Sequence, residues 1–229
     1  MRIFKLLICV LSLILLLSYA PQPVAAERFC DVYLGGSLSA GNEDFKISTS
    51  NEKVTEEVTF SNSLTAGYRI GYWSGRYPWT GAALELSWFQ RSIDGGEGDL
   101  DIIPISALFM FRLPLLKSRA YPRGKLLPYA GIGPGIFFSN IEYRVEKSAI
   151  PGLVGEPAVS GTYADRTIDI GLDARIGMAK VLSRTSAVFM EYRYTHVNLN
   201  FDENVLGVKV NMETELKTHH ILIGFSYFF

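Results

Sequence analysis

Eight charged residues carry the most concentrated chemistry in the chain: Arg69, Glu85, Arg112, Asp169, Asp173, Arg175, Glu191 and Arg193. Each sits in a stretch that alternates between apolar and small or polar types, and each falls on the polar side of that alternation. Four guanidinium groups facing four carboxylates can neutralise one another, and burying any member without a partner is costly. Such a set suits either a polar gate in a narrow pore or an ion-pair network that fills an interior. The three histidines offer base or ligand chemistry. His219 and His220 are adjacent, so on a strand their side chains leave on opposite faces, which argues against a two-histidine metal site. His196 closes the run Arg193-Tyr194-Thr195-His196. Gly131-x-Gly133-x-Gly135 has the wrong spacing for a phosphate loop, and no helical pattern follows it. Glycine at every second position instead predicts a face where neighbours come close. The two cysteines, Cys9 and Cys30, give neither a disulfide framework nor a metal-type spacing. No cofactor, metal site or catalytic residue is expected.

Strands must position these groups. The last eleven residues, His219 to Phe229, set the pattern. Ile221, Ile223, Phe225, Tyr227 and Phe229 form one apolar list, while His220, Leu222, Gly224, Ser226 and Phe228 form a mixed one. Period-two alternation of this kind predicts a strand with one apolar face. Further strands are predicted over Asp31–Ala40, Ser63–Trp73, Thr80–Gln90, Ile102–Leu113, Pro128–Ser139, Thr167–Val181 and Ser186–His196. Pro104 lies within the fourth of these and weakens its upper part. Gly41–Thr59, Ser139–Asp165 and Val197–Thr214 are expected to be long loops, with shorter links such as Leu182–Thr185 between them. Eight strands of about ten residues, joined alternately by short and long connections, are the pattern of an up-and-down antiparallel barrel that crosses a membrane.

The composition agrees. At 229 residues the default is one domain. The chain is 48% hydrophobic and 13% aromatic, yet no run beyond the first segment approaches the roughly 18 apolar residues of a membrane helix. A net charge of −1 gives no reason to expect nucleic acid. Arg2 and Lys5, the apolar run Leu6 to Leu17 and the small residues Val24-Ala25-Ala26 read as a cleaved signal peptide over 1–26, leaving a barrel domain over 27–229.

The face rule decides between a soluble and a membrane barrel. All eight charges oppose the apolar list, and the polar face is also rich in Gly and Ser. That mixture suits a crowded interior, with the apolar face turned to lipid, where a midplane charge costs about 2–4 kcal/mol. Lys180 is the exception in parity, near a turn, where it can snorkel to the interface. Eight strands leave room inside only for side chains, which favours a plug of ion pairs over a gate. Aromatics cluster at both ends, Trp73, Tyr77, Trp79 and Tyr129 near the short turns and Phe60, Trp88, Phe138 and Tyr194 near the loops, as two interfacial belts.

With Pro128-Tyr129-Ala130-Gly131-Ile132-Gly133, Glu191-Tyr192-Arg193-Tyr194 and Gly224-Phe225-Ser226-Tyr227-Phe228-Phe229 in view, the chain resembles the small eight-stranded bacterial outer-membrane barrels of the OmpA/OmpX type. The resemblance implies an all-β, eight-stranded transmembrane barrel in a Gram-negative-type outer membrane, with both termini periplasmic and the chain a monomer. It implies contact with outer-membrane lipid and lipopolysaccharide. It also implies the barrel-assembly machinery and periplasmic chaperones as partners, with Tyr227, Phe228 and Phe229 as the insertion signal. The last strand would then close on the first near Val32 to Leu34. The expected role is structural or surface-interacting through the long loops, with an unidentified external ligand; a narrow small-solute channel is the alternative. Arg193-Tyr194-Thr195-His196 also resembles the Arg-x-x-His of the outer-membrane lipid A deacylases. There a serine two residues on is the nucleophile; here that position is Asn198, so Glu213 or Glu215 as the acid would complete no triad.

Overall fold

A computed structural model of the chain describes residues 26–39, 43–49, 53–58, 63–92, 98–119, 121–145, 161–205 and 208–229. The expected signal peptide therefore lies outside the described residues, apart from Ala26. Ten strands run in order: β1 (Glu27–Ser39), β2 (Glu43–Thr49), β3 (Lys53–Val58), β4 (Ser63–Trp73), β5 (Thr80–Ser92), β6 (Gly98–Arg112), β7 (Leu126–Val145), β8 (Gly161–Val181), β9 (Ser186–Val205) and β10 (Val208–Phe228). Eight of them form a closed antiparallel barrel, in which β1 pairs with β4 on one side and β10 on the other. The other two, β2 and β3, are a hairpin that adds to the outer edge of β10.

The seam joins Phe29 to Phe228, Cys30 to Tyr227 and Asp31 to Ser226. Val32 to Leu34 pair with Phe225 to Ile223, so the last residues close a little nearer the start of β1 than the sequence suggested. Stepping across the ladders from Glu27 passes Trp73, Gly81, Met110, Gly131, Arg175, Arg193 and His220 and returns to β1 at Ser37, ten residues further along. That stagger fixes the tilt and width of an eight-stranded barrel whose interior side chains can fill.

The outward face is apolar around the circumference. Leu34, Leu64, Phe109, Ile132, Ile176, Met190 and Ile223 are all exposed. Between Gly36 and the loop ends the wall continues further than the alternating pattern predicts. The expected loop Val197–Thr214 is mostly the paired upper halves of β9 and β10, and Ser139–Asp165 gives up its ends to β7 and β8. Gly41–Thr59 contains the β2–β3 hairpin. The physical reason is an inversion of the hydrophobic sense. Toward the loop end Leu100, Ile141, Val197, Leu199 and Leu216 point inward and are buried, while Asp99, Glu142, Asn198 and Glu215 point outward. Below that level lipid surrounds an interior that holds the ion pairs; above it water surrounds a mainly apolar one, in which Arg91 is also buried. A rule that seeks apolar outward lists stops where the sense reverses, although the backbone ladder does not.

Pro104 lies inside β6 and is buried. It has no N–H to give, and the β5–β6 partners are interrupted there, running to Leu86↔Ile105 and resuming at Phe89↔Ile102. Two glycines make room for interior groups. A Cβ at Gly131 would stand 3.1 Å from Arg175 Cγ, and one at Gly177 would stand 2.6 Å from the Tyr129 hydroxyl. The inward alternation of glycines in β7 thus clears space for side chains of β8 and β6 rather than for a phosphate.

Candidate functional site

At mid-height the interior holds a layer of ion pairs contributed by β1, β4, β5, β8 and β9. Arg69 on β4 donates through Nε to Asp31 Oδ2 at 2.7 Å and through Nη1 to Glu191 Oε2 at 2.8 Å. Arg175 on β8 reaches three acids: Asp173 Oδ1 at 2.6 Å, Glu191 Oε1 at 3.2 Å, and both carboxylate oxygens of Glu85. Arg193 on β9 contacts Asp173 Oδ2 at 2.7 Å and Glu85 Oε1 at 3.2 Å and donates to Ser87 Oγ at 2.8 Å. Neutral donors add to two of the carboxylates. The Tyr129 hydroxyl donates to Glu191 Oε2 at 2.7 Å, and Ser106 Oγ donates to Asp173 Oδ2 at 3.0 Å. Every ionic side chain of the layer is buried. Arg69 also lies over the rings of Tyr129 and Phe189, with its Cζ 5.7 and 5.5 Å from their centroids.

Of the eight charges singled out in the sequence, the structure brings together Arg69, Glu85, Asp173, Arg175, Glu191 and Arg193. Arg112 and Asp169 stand apart. Arg112 is near the chain-terminal rim, where Nη2 pairs with Glu27 Oε2 at 2.7 Å, Nε donates to the Pro78 carbonyl at 2.9 Å and Cζ lies 4.5 Å from the Trp73 ring centroid. Asp169, further toward the loop end, accepts from Thr167 Oγ1 at 2.8 Å. Parity assigns a face but not a height, and Asp169 and Arg175 are six positions apart along one strand. Asp31 was missed because the predicted strand began on it. Its parity with Tyr33 and Gly35 is the signal that finds it.

Above and below, the lumen is mainly apolar, although Arg91 is fully buried on the loop side and donates through Nη2 to Thr218 Oγ1 at 3.5 Å. Phe29, Trp73, Leu127, Phe189 and Phe228 pack on the chain-terminal side, with Phe29 and Trp73 stacked at 5.6 Å. Phe89, Ile102, Phe137, Leu199 and Leu216 fill the loop side and are fully buried or nearly so. His220 points into this upper layer, its Nδ1 3.0 Å from Thr65 Oγ1 and its ring 4.9 Å from that of Phe89. His219 points out, to the Tyr192 hydroxyl and the Tyr194 ring. The two imidazoles leave on opposite faces and share no ligand position. His196 is also outward, with Nε2 2.9 Å from Glu215 Oε1, and that oxygen is 2.9 Å from Lys217 Nζ as well. A base and an acid do meet, but Asn198 lies directly across the ladder from Glu215, where the deacylase-like reading needs a nucleophilic hydroxyl. Tyr227 and Phe229 stack outside at 6.1 Å, whereas Phe228 is buried inside. Among the described residues there is no cluster of three or more His, Cys, Asp or Glu that could hold a metal ion.

A family model for an outer membrane protein β-barrel domain matches residues 10–229. A sequence search of curated proteins finds no match. Among solved structures, the outer membrane protein OprG of Pseudomonas aeruginosa is similar at 16% identity and a TM-score of 0.63, over 90% of this chain and 96% of that one. Neisserial surface protein A aligns at 12% identity and 0.43, over 88% and 96%. Ail, the attachment invasion locus protein of Yersinia pestis, aligns at 11% identity and 0.39, over 90% and 100%. At these identities the likeness speaks to the fold alone.

Proposed function

The chain belongs to the outer membrane β-barrel family, and from that premise we propose a non-conducting barrel that presents an extended strand surface to a partner outside the cell. The long-loop end faces outward and both termini lie in the periplasm. One observation carries the reading: above the membrane band the wall divides. The β8–β9 ladder runs up only to Gly171↔Val197. Beyond it, the described residues of β8 from Gly161 to Ile170 pair with β7, and those of β9 from Asn198 pair with β10, which in turn carries β2 and β3. Among the described residues, two strand edges therefore have no ladder partner beside the filled lumen. Backbone donors and acceptors along such an edge can accept an added strand, with pockets for alternate side chains.

The plug supports the non-conducting half. Three arginines, four carboxylates and flanking apolar layers occupy the lumen, and a solute would have to break buried ion pairs to pass. The narrow-channel alternative predicts stepwise conductance in planar bilayers; the plug predicts a flat trace. For the strand edges, random peptides displayed on phage can be panned against the detergent-folded protein. Recovered peptides are expected to slow amide exchange along 161–170 or 198–205. Binders that protect neither edge would sink the augmentation reading without touching the plug. No hydrolase is proposed, because His196 and Glu215 lack a nucleophile.

A further inference from the structure

The chain-terminal rim carries a charge imbalance that neither the plug nor the open strand edges use. Arg28 lies at the β10–β1 seam, Arg76 in the β4–β5 turn, Lys117, Arg119, Arg123 and Lys125 in the β6–β7 link, and Lys180 and Arg184 at the β8–β9 turn. Every junction on this rim thus has at least one cation. Among the described residues of these segments there is one acid, Glu27, and its carboxylate is already taken by Arg112 at 2.7 Å and Arg123 at 2.9 Å.

The cations are interleaved with exposed apolar groups. Tyr77, Trp79, Phe111, Tyr227 and Phe229 form an outward aromatic girdle immediately above them. Trp79 stacks on Phe111 at 6.1 Å, and the Arg76 guanidinium lies 5.5 Å from the Tyr77 ring centroid. In the β6–β7 link Leu113, Leu115 and Leu116 are exposed beside Lys117. Leu116 is 68% exposed and has φ 55°, a left-handed conformation that a leucine rarely adopts. Backbone bonds hold that link: Leu115 N donates to Leu126 O at 2.9 Å and Lys125 N to Leu115 O at 2.9 Å. Holding a leucine outward against its backbone preference, next to a row of cations, makes sense where the side chain enters an apolar phase.

We propose that this rim is a collar for anionic phospholipid headgroups of the leaflet on its side of the membrane. Four of the eight cations sit in the β6–β7 link, yet each of the other three junctions contributes at least one, which matches a flat, continuous anionic surface better than a partner confined to one sector. The cations lie at the level just beyond the aromatic girdle, where headgroup phosphates are found, and juxtamembrane cations are attracted to that layer. Leu113, Leu115, Leu116 and Leu182 reach into the adjoining acyl region, with the basic groups at the phosphates.

The test places the folded, heat-modifiable barrel in nanodiscs made of equal amounts of phosphatidylglycerol and phosphatidylcholine and reads the lipids that stay bound in native mass spectrometry. Several-fold enrichment of phosphatidylglycerol on the wild type is expected. It should fall to parity in the quadruple variant R76Q/K117Q/R119Q/R184Q, and the loop-end variant K217Q should keep it. Equal retention of the two lipids by the wild type overturns the proposal, whether or not the quadruple variant folds. Enrichment that survives in a folded quadruple variant overturns it too, since the anionic lipid would then be held elsewhere. Neither result bears on conductance or on the strand edges.

Discussion

Glu191 is the residue on which the interior layer turns. Its two oxygens take Arg69, Arg175 and the Tyr129 hydroxyl, and the group is buried. Removing it leaves two guanidinium groups short of countercharge in a closed space. Glu191→Ala is therefore expected to cost about 3–5 kcal/mol, the range for breaking a buried pair from one side. Urea unfolding in lipid vesicles measures it. In a double-mutant cycle, Glu191 and Arg69 should show coupling, while Glu191 and Arg112 should add independently, because Arg112 belongs to the Glu27 pair. At this scale the sequence revealed which side chains face inward. Glu191, Arg193, Asp173 and Arg175 are expected in one network from their neighbouring strands, but that Arg112 and Asp169 stand apart and Asp31 joins is not legible, since contact across the lumen depends on the stagger between strands. A neutral donor such as Tyr129 carries no charge pattern to betray it.

The elements were legible where lipid imposes a rule. The outward lists of β4, β8 and β10 followed from alternation alone, because every second residue there must be apolar. Their upper extensions were not legible, for water outside and an apolar plug inside reverse the requirement. Val197 and Leu199 are buried on the face that lower down holds Arg193 and Thr195. The extension is then a small water-facing sheet system with its own core, and it can be damaged separately. Leu199→Asp should place an unpartnered carboxylate among Leu216, Val197 and their neighbours. We expect amides of 198–205 and 208–216 to exchange faster by roughly five- to 150-fold, given roughly 1–3 kcal/mol for burying an unsatisfied polar group. The barrel band itself should remain heat-modifiable on gels. A loss of heat-modifiability would show that the two layers unfold as one.

The whole molecule depends on the β1–β10 seam. An open edge in hydrocarbon leaves backbone groups without partners, so a barrel that fails to close has no stable place in the bilayer. Deleting Ser226–Phe229 removes the partners of Phe29, Cys30 and Asp31. It also removes the two backbone bonds that join Arg28 to Phe229. The expected outcome is protease-sensitive protein that no longer shifts on heating. Wild-type levels of protease-resistant, heat-modifiable protein in the membrane fraction would contradict it.

One countercharge of Arg69, Asp31, faces it across the neighbouring β1–β4 ladder, but the other close one, Glu191, lies 122 residues away. Asp31 and Glu191 also reach it from strands on opposite sides of the seam. A sheet entering the bilayer hairpin by hairpin would carry Arg69 beside Asp31 and Glu85 on the adjoining strands, while Glu191 and the rest of the buried layer arrived only with β8 and β9. Completion of the ion-pair layer and closure of the circle are thus coupled, because the Arg69–Glu191 and Arg175–Glu85 pairs span strands that meet only across the closed lumen. The reverse journey faces the same coupling. Pulled from one end by a force probe, the barrel should resist as a single block and release in one large rupture rather than strand by strand.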